Sequence, residues 1–306
     1  MSFLVELPLE TYADHLFDDF APAADFRVGT ARALMWASQL AYEVRDARHK
    51  VKPVLQRWGL QPVTLVANNV APRLPLASTR GIIATGRGAT IAAFAGTDPA
   101  AISNWITNLN VGNRARDIHR GFEDAVDAVW NDIAAALRPN THPLFIAGHS
   151  LGGALAVIAA ERLRRELKIE PAAIYTFGAP RVGTAGFAGA YNACGLGDRT
   201  YRLIHGLDIV PTLPPSALGF RHVGRMIMCQ RGSRFTGTEM QSPCDCDDPA
   251  FLGTIQRGFQ QRLRDFATGN FLPSSRTGWI GSYQKYVLPP PFTDHLPERY
   301  RRAFEA

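Results

Sequence analysis

No stretch of this chain approaches the roughly 20 consecutive apolar residues that a membrane-spanning helix needs, so no transmembrane segment is expected. The opening residues, MSFLVELPLE, lack both a basic region and a long apolar run. No secretory leader is therefore expected, which leaves a cytoplasmic location and export by a leaderless route both open. Cysteine is scarce: Cys194, Cys229, Cys244 and Cys246 are the only four, and without a leader they are expected to stay reduced. Cys244 and Cys246 flank Asp245, but no second pair of ligands stands at zinc spacing, so no metal is expected. The formal net charge is +6, yet zinc-finger spacing and the aromatic-basic motifs of RNA-binding modules are absent. The densest basic group, Arg162, Arg164, Arg165 and Lys168, alternates with Glu161 and Glu166 as a solvated helix face does. A nucleic-acid partner is not expected. Internal repeats and low-complexity tracts are missing too.

What the chain does have is alternation. Short apolar runs rich in β-formers stand at Val63–Ala67, Ile82–Thr85, Thr90–Ala95, Leu144–Ala147, Ala173–Phe177 and Thr200–Ile204. They lack polar alternation, which predicts strands buried on both faces. Between them lie helical patterns. Phe122, Val126, Val129, Trp130, Ile133 and Leu137 share one face, which predicts a helix from Phe122 to Leu137. Leu151 to Leu167 reads as a long Ala/Leu-rich helix. Strand–helix alternation predicts an α/β fold with a mainly parallel sheet covered by helices. The pattern weakens from about 231 to 291, where Ile255, Phe259, Leu263 and Phe266 mark one amphipathic helix. No flexible linker sets this stretch apart, so residues 1–306 are expected to form one domain with an insertion at about 231–291.

The strongest chemical signal is Gly148-His149-Ser150-Leu151-Gly152-Gly153, which follows an apolar run and opens a helical pattern. A GxSxG sequence in that strand–turn–helix context is a nucleophile elbow, with Ser150 as the nucleophile. Glycines on either side let strand and helix approach, and the helix N-terminus adds a positive dipole beneath a developing oxyanion. A serine nucleophile needs a base, and the base needs an orienting carboxylate. In this fold the order is serine, acid, histidine, which removes six of the eight histidines and leaves His222 and His295. Asp208 follows the strand candidate Thr200–Ile204, so it falls at a strand's carboxyl end, where sites collect in open α/β sheets. An oxyanion hole needs two backbone N–H donors: one from Leu151, and one from a loop after an earlier strand, which Gly96-Thr97 supplies.

The chain resembles the class 3, fungal-type lipases of the α/β-hydrolase superfamily. The resemblance is carried in order by Ala93-Phe94-Ala95-Gly96-Thr97, Asn104-Trp105-Ile106-Thr107-Asn108-Leu109, His119-Arg120-Gly121-Phe122, Thr176 to Gly183, His205 to Pro211, and Asp294-His295 with Tyr300 beyond. It implies an α/β-hydrolase fold, a triad of Ser150, Asp208 and His295, and Thr97 beside Leu151 in the oxyanion hole. It also implies a lid segment, in which Ile102, Trp105, Ile106 and Leu109 form one apolar stripe at i, i+3, i+4, i+7 spacing. Ala95 and Asn108 stand where the family often has arginine and aspartate. The function implied is carboxylic ester hydrolysis through an acyl-enzyme, most simply a triacylglycerol lipase meeting its substrate at a lipid–water interface without a cofactor. An sn-1 phospholipase, a short-chain or feruloyl esterase, and a catalytically dead interaction scaffold are the alternatives.

Overall fold

The computed structural model describes residues 6–68, 79–97, 117–238, 240–241, 251–267 and 289–305. Helices α1 (Val28–Leu40), α2 (Glu43–Asp46) and α3 (Arg48–Arg57) precede the antiparallel strands β1 (Leu60–Asn68), β2 (Thr79–Gly86) and β3 (Ala89–Phe94). Helices α4 (Arg120–Asp127) and α5 (Trp130–Leu137) lead into β4 (Leu144–His149), α6 (Leu151–Arg162) and β5 (Ala173–Phe177). Then come β6 (Gly183–Thr184), α7 (Ala185–Ala193), β7 (Thr200–His205), β8 (Phe220–Arg221), β9 (Arg225–Cys229) and β10 (Met240–Gln241). Helices α8 (Phe251–Ala267), α9 (Pro290–Thr293) and α10 (Pro297–Arg302) follow.

Eight strands form one sheet in the order β1-β2-β3-β4-β5-β7-β9-β10. From β3 through β9 neighbouring strands run parallel. Successive side chains of a strand point to opposite faces, and here both faces are covered. Phe94, Ile146 and Ile174 enter a core shared with α4, α5, α6 and α7. Phe145, Ala147, Tyr175 and Phe177 enter a second core with α1, α3, Tyr300 and Phe304. That is why the central strands read as continuous apolar runs.

The helix expected from Phe122 to Leu137 is two helices. Val129 leaves the helical region at φ −125°, ψ 3°, which splits α4 from α5. The periodicity survives because both pieces keep the same face on the sheet, with Phe122, Val126, Ile133 and Leu137 in one core. Beyond Arg162, α6 widens into a π-helical turn, Leu163–Leu167. Within the stretch expected as an insertion, the described residues form β10 and α8. Ile102, Trp105, Ile106 and Leu109 lie outside the described residues, as do Cys244 and Cys246. Cys194 and Cys229 are free thiols.

Candidate active site

The turn between β4 and α6 exists because two backbones nearly touch. A Cβ on Gly148 would collide with the Gly152 carbonyl, and one on Gly152 with the Phe94 carbonyl of the neighbouring strand. Between these glycines Ser150 is held at φ 60°, ψ −129°. A non-glycine residue with such a backbone is strained, and the surrounding contacts keep it there. Its N–H donates to the Phe177 carbonyl at 2.8 Å. The hydroxyl therefore projects from the carboxyl end of the central strand.

Two loops bring the partners. Asp208 lies three residues past β7, and His295 sits between α9 and α10. His295 Nε2 is 2.8 Å from Ser150 Oγ, and its Nδ1 is 2.9 Å from each carboxylate oxygen of Asp208. All three side chains are buried. The three residues expected from the resemblance are thus brought together, with His295 in hydrogen-bond reach of both Ser150 and Asp208. The Asp208 carboxylate is further fixed by the Tyr300 hydroxyl, which donates to Oδ2 at 2.6 Å, and by the Val210 amide, which donates to Oδ1 at 2.9 Å. Charge-assisted bonds of this kind are about twice as strong as neutral ones.

The two loops are also tied to each other. The Ile209 amide donates to the Pro291 carbonyl at 3.2 Å, and the Leu207 amide to Asp294 Oδ2 at 2.9 Å. Arg231 pairs with the other oxygen of Asp294 at 3.1 Å. Burial raises the Asp294 carboxyl above the usual carboxylate range, and Arg231 opposes that.

His149, next to Ser150, has its own partners. Its Nε2 lies 2.9 Å from the backbone carbonyl of His295, and its Nδ1 lies 2.8 Å from the Tyr42 hydroxyl. A carbonyl only accepts, so Nε2 carries the proton and Nδ1 accepts from Tyr42. Burial, reinforced by His295, holds His149 well below the ordinary histidine range and keeps it neutral. The two imidazoles lie 4.9 Å apart at 34°. Sequence order excluded His149 as a base but gave no hint of this bracing role.

His222, the other histidine left by the order rule, is engaged elsewhere. Its Nε2 lies 2.7 Å from the Pro211 carbonyl, and burial beside Arg202 and Arg181 lowers its basicity strongly.

The residues expected to supply an oxyanion hole flank Ser150. Leu151 is the first residue of α6, where a helix leaves its leading N–H groups without an internal acceptor. On the other side, Arg80 of β2 donates to the carbonyls of Tyr42 and Gly96, each at 3.2 Å, and so pins the loop carrying Thr97. The Thr97 hydroxyl is buried without a hydrogen-bond partner among the described residues. Buried polar atoms are rarely left so, and an oxygen that acquires negative charge would satisfy this one. Tyr42 and Arg80 were not legible as site residues. They lie far upstream in sequence, in segments that carry no motif.

Residues 91–218 match the family model described as Lipase (class 3). Secreted mono- and diacylglycerol lipase 1 of Fusarium solani is 40% identical over 132 residues, covering 40% of this chain and 38% of that protein. The lipase of Rhizomucor miehei is 35% identical over 139 residues, covering 41% of this chain and 38% of that protein. Each matched stretch thus spans well under half of the curated relative. Among solved structures, lipase II from Rhizopus niveus superposes with a TM-score of 0.57 at 25% identity, over 74% of this chain and 91% of that one. With the sheet order above, these likenesses establish the α/β-hydrolase fold expected from the sequence.

Proposed function

We propose that this chain, a member of the class 3 lipase family within the α/β-hydrolase superfamily, is a serine ester hydrolase that acts on acylglycerols. The observation that carries the reading is the unbroken line from Asp208 through His295 to Ser150, 2.9 Å and 2.8 Å, ending at a strained elbow. Ser150 Oγ attacks the ester carbonyl as His295 Nε2 takes its proton. Asp208 holds the imidazole in the Nδ1–H tautomer and stabilises its charged form. The amides of Leu151 and Thr97, with the Thr97 hydroxyl, receive the oxyanion; one such donor is typically worth roughly 100- to 1000-fold in rate. His295 then protonates the leaving alcohol, and water repeats the sequence on the acyl-enzyme.

The relatives are named as lipases, and three of them as mono- and diacylglycerol lipases. The test compares mono-, di- and triolein, with p-nitrophenyl esters from acetyl to palmitoyl as the chain-length scale. Labelling of Ser150 by a fluorophosphonate is expected in the wild type and absent in Ser150→Ala. Ser150→Ala should lower kcat by roughly 10⁴- to 10⁶-fold with the fold intact. Wild-type turnover by a folded Ser150→Ala protein defeats the reading, and labelling without glyceride cleavage moves it to another ester.

A further inference from the structure

Helix α8 is mounted the wrong way round. An amphipathic surface helix normally turns its apolar stripe to the core. In α8 the stripe Leu252, Ile255, Phe259 and Leu263 lies within one arc of the helix, and these side chains are 77%, 44%, 66% and 56% exposed. Among the described residues the only other large exposed apolar side chain is Val63. The helix meets the protein through Thr254 and Gly258, both buried, and through Asp265, which pairs with Arg231. A Cβ on Gly258 would come within 2.5 Å of Pro291 Cγ, so this face is seated by close contact and not by an apolar stripe.

Three features identify what the outward stripe meets. The helix carries Arg257, Arg262 and Arg264 against Asp265 alone, so it is cationic in a chain that is itself cationic. Its seat, α9, runs straight into the loop of His295, and the Pro291 carbonyl is bonded to the residue after Asp208. A cavity of about 370 Å³, lined by Ile209, Ile255, Phe259, Pro291 and Phe292, opens beside the stripe. An apolar stripe with basic residues is the pattern of helices that lie in a membrane interface. We propose that α8 docks the enzyme onto the surface of an anionic lipid aggregate and thereby presents the triad to it. The inference rests on the glyceride-ester reading for its purpose, not for its observations.

The test uses the full chain carrying Ser150→Ala, so that nothing is turned over, with vesicles of ether-linked phosphatidylcholine and a minority of ether-linked phosphatidylglycerol. Flotation with the vesicles is expected. Leu252→Ser with Leu263→Ser should weaken it by roughly tenfold or more, and Val63→Ser should leave it unchanged. High salt should weaken it as well, since the arginines contribute. Phe259→Trp supplies a second readout: the emission of the introduced indole should shift to shorter wavelength on vesicle addition. Equal flotation of the double variant, or no emission shift, overturns the proposal. So does sedimentation showing a wild-type dimer that the double variant dissolves, since the stripe would then face a second copy. Cleavage of soluble p-nitrophenyl acetate by the wild-type chain reports separately. Cleavage without flotation defeats the docking surface alone, and flotation without cleavage upholds it while defeating the esterase reading.

Discussion

The imidazole of His295 is constrained at three points: Asp208 at Nδ1, Ser150 at Nε2, and its own backbone carbonyl through His149. These constraints differ in what their loss should do. His295→Ala removes the base and should approach the effect of losing Ser150, because triad members act as a unit. His222→Ala should instead lower stability and spare turnover; reversed effects would make His222 the base. Tyr300→Phe removes the 2.6 Å donor to Asp208. A hydrogen bond to a charged group contributes about 1.5–3 kcal/mol, so kcat should fall by roughly 10- to 100-fold with KM little changed. Tyr42→Phe leaves His149 Nδ1 without its donor and should cost less, because His149 still reaches the His295 carbonyl. Steady-state kinetics on a soluble ester checks the order of severity, His295→Ala first, then Tyr300→Phe, then Tyr42→Phe.

At the level of elements, the elbow is held by backbone clearance. Gly152→Ala would push α6 from β3, where its Cβ meets the Phe94 carbonyl. Overpacking of this kind costs typically 1–3 kcal/mol, and urea unfolding of Gly152→Ala should show at least that loss. The same region explains what could be read from sequence. Strands β2 to β5 and β7 declared themselves because burial on both faces leaves an apolar run with no alternative use. Ser150 declared itself because glycine spacing and chemistry coincide there. By contrast α1 went unread: from Thr30 to Leu40 all but Arg32 are buried, so no polar face marks its period. The break at Val129 is invisible to periodicity, since both helices keep one face inward. Tyr42 and Arg80 act through hydrogen bonds to residues distant in sequence, which no local pattern encodes. The stripe of α8 was legible as a helix but not in its orientation, because amphipathicity does not say which side faces water.

For the whole molecule, buried histidines set the acid limit. Burial lowers His119, His149, His205 and His222 below their ordinary value of 6.5. Below that value the unfolded chain takes up protons that the folded chain refuses, so stability is fully present above it and is lost as pH falls. Each histidine contributes a slope of at most about 1.4 kcal/mol per pH unit. Asp294, raised by burial, works in the opposite sense, one group against four. Chemical denaturation at about pH 7.5 and about pH 5.5 should therefore show a lower midpoint in acid. At the other end, burial raises Tyr12, Tyr175, Tyr191, Tyr201 and Tyr300 above 10.0, so stability should also fall as pH climbs past that value. The path of the chain through the site adds a consequence in time. Tyr42, Arg80 and Thr97 precede Ser150, whereas His295 follows it by 145 residues, with Tyr300 beyond. A ribosome-bound chain can therefore build most of the sheet while its serine still lacks a base, the long-range closure coming last. The nascent chain stays inert until His295 has been made and has folded back, and a message cut short before that codon yields a folded sheet with a silent nucleophile.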